Sequence, residues 1–533
     1  VVAVVAATTP ALAAPAALGE CLVAAVAVAA VARRPAATAA LALMALCSCG
    51  LGDMSRIALS GGAYQARSVI ASAQRMLNLY AEPLPDIQGE PARFAYYPTP
   101  GLRLLNTLPE APVRGIRQAT NGNVYAVAGR GVYRVNADWS GTHLGDITLG
   151  PTNPVSMADN GIELVVVDGT ALGWKVTLST DAFAQISDPT GSFAGGDRVD
   201  FLDTYLLFNV PGTPQFESSD SLATTFDPLW FANKEAYGDN LVTLMVAKRN
   251  IWLLGERTTE IFFNSGKPDF PFESWPNVLI DHGCAAKYSV AQIDNSVFWL
   301  SQDRQGEGIV LKGAGTEVTR ISTFAIEAEI AGYATISDAI GYSYQFAGHG
   351  FYVLTFPTVS KTWAFDISTG LWSELAWIDT NGREHRHRGN CAWLCRGQIV
   401  LGDWQNGNLY ALDPSVYTDF DGPVKRVRAF PHLLADGRRV YYRQVLLDVE
   451  VGNEPATPSG LTLPTVWLDW SDDRGRSYGN PISQDIGGVG EYRTSVQFQR
   501  LGMARDRVFR VSWSSPTRTA LQGAWVDASP AES

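Results

Sequence analysis

The sequence predicts an all-β chain: an irregular β-propeller with an added β-sandwich-like platform domain and a short N-terminal helical arm. Three observations carry this. Short apolar or alternating runs recur from about residue 113 with turn residues between them, 50 Gly and 29 Pro punctuate the 533 residues, and 15 Trp, 19 Tyr and 22 Phe supply side chains that fill pleated faces. With 46% hydrophobic and 18% charged residues the chain is globular, and its length exceeds the needs of one ordinary core, so more than one domain is expected.

Residues 1–53 differ in composition from the rest, being mostly Ala and Val with Pro and Thr. Two readings fit them. One is an export signal, with Arg33-Arg34 as its charged region, Ala36 to Leu46 as its apolar core and Leu46-Cys47-Ser48-Cys49 as a loose lipoprotein cleavage box. The other is an extension that is not native protein, since ordinary composition begins at Met54, which would then be the first residue. No later run approaches the length of a membrane span, so the mature protein is expected to have no membrane contact.

The next segment, 54–112, is read as the arm. In SVIASAQRMLNLYAE (68–82), Val69, Ile70, Ala73, Met76 and Leu77 fall near one helical face, and the run stops against Pro83 and Pro85. Over 113–430, VYAVAG (124–129) with GVYRVN (131–136), and QIVLGD (398–403) with GNLYALD (407–413), exemplify strand pairs around Asn, Asp and Gly turns. Comparable units recur about every forty residues, the spacing of propeller blades. From 431 to 533 the strands lengthen. Alternation in Val445, Leu447, Val449 and Val451 predicts the sandwich.

Motifs for chemistry are few. Ser471-Asp472-Asp473-Arg474-Gly475-Arg476-Ser477-Tyr478 matches the Asp-box of sialidase propellers, where Asp and Ser bond backbone groups of a turn. A single copy outside the propeller reads as a structural hairpin, and no paired acids with glycosidase spacing accompany it. His385, His387, Cys391 and Cys395 are the densest set of metal-ligand types, yet in an extended strand the two cysteines lie about 13 Å apart at about 3.3 Å per residue. No nucleophile elbow, phosphate-binding loop or dinucleotide fingerprint occurs. No catalytic residue, metal or cofactor is expected, and a scaffolding role is favoured.

Charge narrows the partners. A net charge of −12 argues against a protein whose overall field attracts nucleic acid or anionic membrane. The local exception is Lys425, Arg426 and Arg428, with Arg438, Arg439 and Arg443 nearby, a candidate contact for DNA or an acidic partner; the bland reading is a solvated strand edge. Six scattered cysteines form no disulfide framework in a chain this long and fit reduced, cytoplasmic assembly.

GGAYQARSVIASAQRMLNLYAE (61–82) followed by YYPTPGLRLL (96–105) resembles the start of the packaged-DNA stabilisation proteins, the tail hub or nozzle family of short-tailed bacteriophages. Further likenesses follow in order: GERTTEIFFNSG (255–266), Gly283-Cys284, FWLSQD (298–303), GDWQNGNLYALD (402–413), WSDDRGRSYG (470–479) and LGMARDRVFRVSWSSPTRTALQGAWV (501–526). The resemblance implies a propeller with a β-rich platform and a virion tail protein assembled in the host cytoplasm. It implies a ring of six copies below the portal and its adaptor or head-completion protein. Such a hub closes the exit channel and docks tail spikes, fibres or a needle, while DNA passes through the lumen without sequence recognition. An acidic lumen would let DNA slide without sticking. On this reading Arg67, Gln74, Arg75, Asn78, Tyr80 and Glu82 fix the arm to the platform or a neighbouring subunit. The alternative is a secreted or lipid-anchored β-propeller glycosidase or carbohydrate-binding protein, which the Asp-box and the cleavage box would suit.

Overall fold

The computed structural model describes residues 54–59, 61–85, 93–148, 153–435, 437–450, 452–453 and 463–531. The export-signal, cleavage-box and extension readings of residues 1–53 lie outside the described residues. Among those described, no helix is long and apolar enough to cross a membrane.

Among the described residues, seven four-stranded antiparallel units succeed one another. Six are contiguous, at 113–146, 156–185, 199–233, 241–280, 291–320 and 340–378. Each opens on a strand that touches the opening strand of the next, and the opening strand of the seventh, Gly389–Cys395, touches Val113–Gln118 of the first, so the units close into a propeller. Two-residue turns join many strands. Asp294 and Asn295 (φ 48° and 66°) suit such a turn because their short polar side chains tolerate the left-handed region; Lys248 and Arg249 (φ 49° and 65°) occupy the same conformation without that preference.

The seventh blade is completed from far away in sequence. Its own strands are Gly389–Cys395, Gln398–Asp403 and Asn408–Asp413, and its fourth is Gly101–Thr107, antiparallel to the last with Leu102 opposite Leu412. The ring is therefore closed by a strand that precedes the first blade.

The second body is a sandwich. One sheet runs Val496–Ala504, Val440–Val449, Leu521–Pro530, Phe94–Pro98, Leu79–Pro83, with Ser55–Ile57 also on Leu521–Pro530. The other contains Arg426–Ala429, Asp506–Trp513, Thr465–Ser471 and Ile482–Asp485. The alternating residues Val445, Leu447, Phe498 and Val526 join Leu468, Phe509 and Val511 in one buried cluster. Each such side chain contributes about 1.5–3 kcal/mol when fully withdrawn from water.

The expected helical arm is not a helix. Residues 68–71 form a turn, closed by the Ala71 amide donating to the Ser68 carbonyl at 2.9 Å, and strands follow at Ala73–Gln74, Met76–Leu77 and Leu79–Pro83. The helical spacing misleads because Ile70 is exposed whereas Met76, Leu77, Leu79 and Tyr80 are buried on both faces, a pattern with no clean period. Backbone pairing with distant strands overrides local preference. The α-helix among the described residues is Phe324–Ala331, between blades five and six, where the Thr323 side chain accepts from the Ile326 amide as N-cap. The stretch 54–112 is shared out, with Ser55–Ile57, Leu79–Pro83 and Phe94–Pro98 in the sandwich and Gly101–Thr107 in the propeller.

Candidate functional site at the propeller–sandwich seam

A shared buried cluster packs the two bodies together, and a pair of residues carries the backbone pairing between them. Met76–Leu77 lies parallel to Leu371–Ile378 of blade six, with Leu77 opposite Glu374, and antiparallel to Arg426–Ala429 of the sandwich, with Leu77 opposite Val427. A single sheet of eleven strands consequently runs from blade six into the sandwich.

Asn78 locks the join. It is 2% exposed and held at φ 52°. Its Nδ2 donates to the carbonyls of Ala376 and Lys425, each at 2.8 Å, and its Oδ1 accepts from the Ala376 amide at 3.0 Å. One side chain thus satisfies backbone groups of blade six and of the crossing segment that no ladder pairs there, and Asn is among the few residues that enter the left-handed region readily.

Arg75 is the electrostatic counterpart. Its Nε donates to Glu374 at 2.7 Å and its Nη2 to Glu384 at 2.6 Å, while Lys361 reaches Glu374 at 2.6 Å and Lys425 reaches Glu384 at 3.1 Å. Burial opposes the Arg75 charge, but the two carboxylates outweigh it and raise its pKa. Burial likewise opposes the Glu384 charge, and Arg75 and Lys425 hold its pKa down to about 2; Glu374 is lowered against its own burial by Arg75 and Lys361. The network borders a cleft of about 460 Å³ lined by Gln74, Arg75, Ile326, Trp363, Tyr478 and Arg510.

The other residues expected to hold a platform or neighbour are also engaged within the chain. Gln74 accepts from Arg428 at 3.0 Å, Tyr80 is buried with its ring 5.7 Å from Tyr97 and 5.2 Å from His349, and Glu82 lies 3.6 Å from His349. Arg67 stays exposed just before the turn at 68–71.

The expected basic contact needs correction at two of its three positions. Arg426 and Arg428 are each 0% exposed. Arg426 donates to the carbonyls of Ser515 and Tyr417 at 3.1 and 3.2 Å, and burial pulls its pKa down to about 10. Arg428 donates to the Gly61 carbonyl, to Gln74 and to the Tyr96 hydroxyl. An arginine without accessible surface cannot reach a phosphate or a partner's carboxylate. Lys425 is partly exposed and paired with Glu384.

The Asp-box is a turn. Ser471 and Ser477 donate to Asp473 at 2.6 Å each, and the amides of Arg476 and Ser477 converge on the same carboxylate, holding its pKa well below the usual range. A Cβ on Gly475 would come within 2.7 Å of Ala73, so the turn leans directly on the arm. His432 adds a second tie, with Nδ1 at 2.7 Å from Asp506 and Nε2 at 2.8 Å from the Val69 carbonyl.

The His and Cys set does not converge. His385 contacts Asp379 at 3.1 Å and stacks on Trp377; His387 lies against the Tyr342 hydroxyl at 3.0 Å, and burial takes its pKa down to about 4. Burial pushes the Cys391 and Cys395 thiols up to about 12. Among the described residues no three His, Cys, Asp or Glu side chains are placed to hold a metal ion.

Sequence reasoning missed Lys361, Glu374 and Glu384. The available signal was Glu374 within LWSELAWI (371–378), a carboxylate in a run otherwise fit for burial on both faces.

Comparison with known proteins matches residues 56–417 to the phage stabilisation family described as bacteriophage P22 Gp10, β-propeller, and residues 425–529 to the family bacteriophage P22 Gp10, β-sandwich. No sequence match is found among curated proteins. Similar solved structures include the WD40 β-propeller domain of Doa1 (TM-score 0.37, 11% identity, 58% of this chain and 96% of that one). Others are the computationally designed Ika8 protein (0.34, 12%, 64% and 99%) and streptogramin B lyase (0.36, 10%, 58% and 96%). The propeller match covers more than half of the chain and the sandwich match follows it in order: the protein belongs to the bacteriophage P22 Gp10 family of phage stabilisation proteins, structural components of the virion tail rather than enzymes.

Proposed function

We propose that the protein is the tail hub, or nozzle, subunit of a short-tailed phage. Six copies form a ring below the portal and its adaptor, close the exit channel after packaging, retain the DNA and give tail spikes, fibres or a needle a place to dock. The observation that carries this reading is the ordered pair of family matches, propeller over 56–417 and sandwich over 425–529. The seam supports it, because a propeller hydrogen-bonded through its backbone to a sandwich transmits position from one partner surface to another. With the seam residues engaged within the chain, the docking surfaces lie elsewhere, and obligate ring interfaces of this kind are large and well packed. DNA in such a hub is held by occlusion and passes without base contacts, which suits a net charge of −12.

Affinity purification of the protein from phage-infected cells, followed by sizing and mass spectrometry, tests the reading. A ring-sized species that co-isolates with portal and adaptor is the expected result. A monomer free of virion proteins, together with DNA-filled heads in a phage lacking the gene, would reject it.

A further inference from the structure

Blade seven is held shut by a short segment. Thr418–Asp419 pairs parallel to the closing strand, with Asp419 opposite Leu102, and backbone bonds run from Phe420 N to Leu102 O at 3.1 Å and from Gly101 N to Val416 O at 2.9 Å. This segment leads directly into Arg426–Ala429 of the sandwich. The carboxylates of Asp403, Asp419 and Asp421 gather here around one guanidinium, Arg388. Its Nη2 donates to Asp421 at 2.6 Å, its Nη1 lies 3.9 Å from Asp403 and its Nε 3.5 Å from Asp419. Asp403 is better served, accepting from the Tyr410 hydroxyl at 2.8 Å and the Gln405 amide at 2.7 Å. Asp419 is 7% exposed and its Oδ1 has no hydrogen-bond donor. Asp403 and Asp419 are the buried members of this set, while the exposed Asp421 takes the short bond from Arg388, so Asp419 is left as a buried anion without a donor at Oδ1, an unfavourable state unless it takes up a proton.

We infer that Asp419 is a proton-binding latch on propeller closure: the neutral carboxyl holds the closing strand in place, and loss of its proton loosens blade seven. Burial raises the Asp419 pKa to about 7, with Asp421 and Asp403 adding to the rise and Arg388 opposing it. Burial also raises the Asp403 pKa, but the Gln405 amide, the Tyr410 hydroxyl and Arg388 oppose that rise, so Asp419, with no donor at Oδ1, is the member set to titrate. Tyr410 is raised above its ordinary value by burial, and His387, beside Arg388, is kept neutral in this range by its own burial. Arg386, facing Asp403 and Asp338, has its pKa lowered by burial only to about 10 and stays charged.

Hydrogen exchange at the 101–107 amides of the full chain, corrected for intrinsic pH dependence, is the test. When the clasp opens, Asp419 returns to its ordinary pKa. The opening equilibrium then rises by up to about tenfold per pH unit between pH 5 and 7 and levels off above. Asp419→Asn, which imitates the neutral form, should flatten that rise. Asp421→Asn, at an exposed position that removes a like charge and frees Arg388 for Asp419, should move the levelling-off point to lower pH. Exchange without this rise in the wild type, or an Asp421→Asn profile superimposable on it, overturns the inference even if Asp419→Asn fails to fold.

Discussion

Replacing Asn78 by Ala is the sharpest probe of the seam. The substitution strands the carbonyls of Ala376 and Lys425 and the amide of Ala376, the three groups that Asn78 satisfies. Each unpartnered buried group costs about 1 kcal/mol at the low end of measured values, fitting where one of them is only partly buried. Holding Ala at φ 52° adds about 1 kcal/mol. The expected loss is about 4 kcal/mol. Asn78→Gly loses the same hydrogen bonds without the conformational penalty and should be about 1 kcal/mol less damaging. Urea unfolding followed by tryptophan fluorescence gives the two midpoints, and hydrogen exchange at 371–378 and 426–429 shows whether the loss is local to the seam. A midpoint for Asn78→Ala equal to that of the wild type would refute the reasoning, as would protection lost everywhere except at those strands.

The same geometry yields three further expectations. Arg75→Met should cost about 2 kcal/mol at neutral pH, below the usual range for breaking a buried pair because Lys361 and Lys425 remain. The Glu384 pKa is depressed from 4.5 to about 2, so this contribution is present above about pH 4.5 and lost as pH falls toward 2; stability curves of variant and wild type should therefore converge in acid. Arg426→Gln and Arg428→Gln should each lower the thermal midpoint through the loss of charge-assisted hydrogen bonds, by about 2 kcal/mol in stability, whereas Lys425→Ala should change it little; equal effects on melting would contradict the burial assigned to the two arginines. Gly101→Ala places a Cβ 2.3 Å from the Val416 carbonyl oxygen and 2.6 Å from that of Thr418, and should cost about 2 kcal/mol and expose 101–107 to limited proteolysis.

What the sequence discloses follows from where its signals originate. The sandwich strands are legible because one face is apolar and the other mostly polar, as in the buried Val445 and Leu447 flanked by Gln444 and Asp448. The Asp-box is legible because its hydrogen bonds are made within seven residues. The seam is not legible, because Met76 and Leu77 are placed by partners about 300 and 350 residues away, and strands buried on both faces have no period to read. Arg426 and Arg428 mislead for the same reason: alternation with Val427 is visible, but Tyr417 and Ser515 over Arg426 and the arm over Arg428 turn an apparent solvated edge into interior. The arm residues were singled out, yet sequence alone could not say that their partners belong to the same chain.

The closing strand of the seventh blade bears on how the protein is made. Gly101–Thr107 pairs with Asn408–Asp413, Met76–Leu77 with strands around 374 and 427, and Ser55–Ile57 with 524–526. Blades one to six can be completed as they leave the ribosome, since each is contiguous in sequence. Leu79–Pro83 and Phe94–Pro98 can pair with each other at once, but Ser55–Ile57, Met76–Leu77 and Gly101–Thr107 must wait until their partners have been synthesised, a delay of some tens of seconds at about 5–20 residues per second. During that interval these strands lack their partners, and unpaired strand edges are the kind of surface that recruits chaperones or aggregates. Yield in the infected cell is thereby set as much by the protection of these waiting strands as by the stability of the finished subunit.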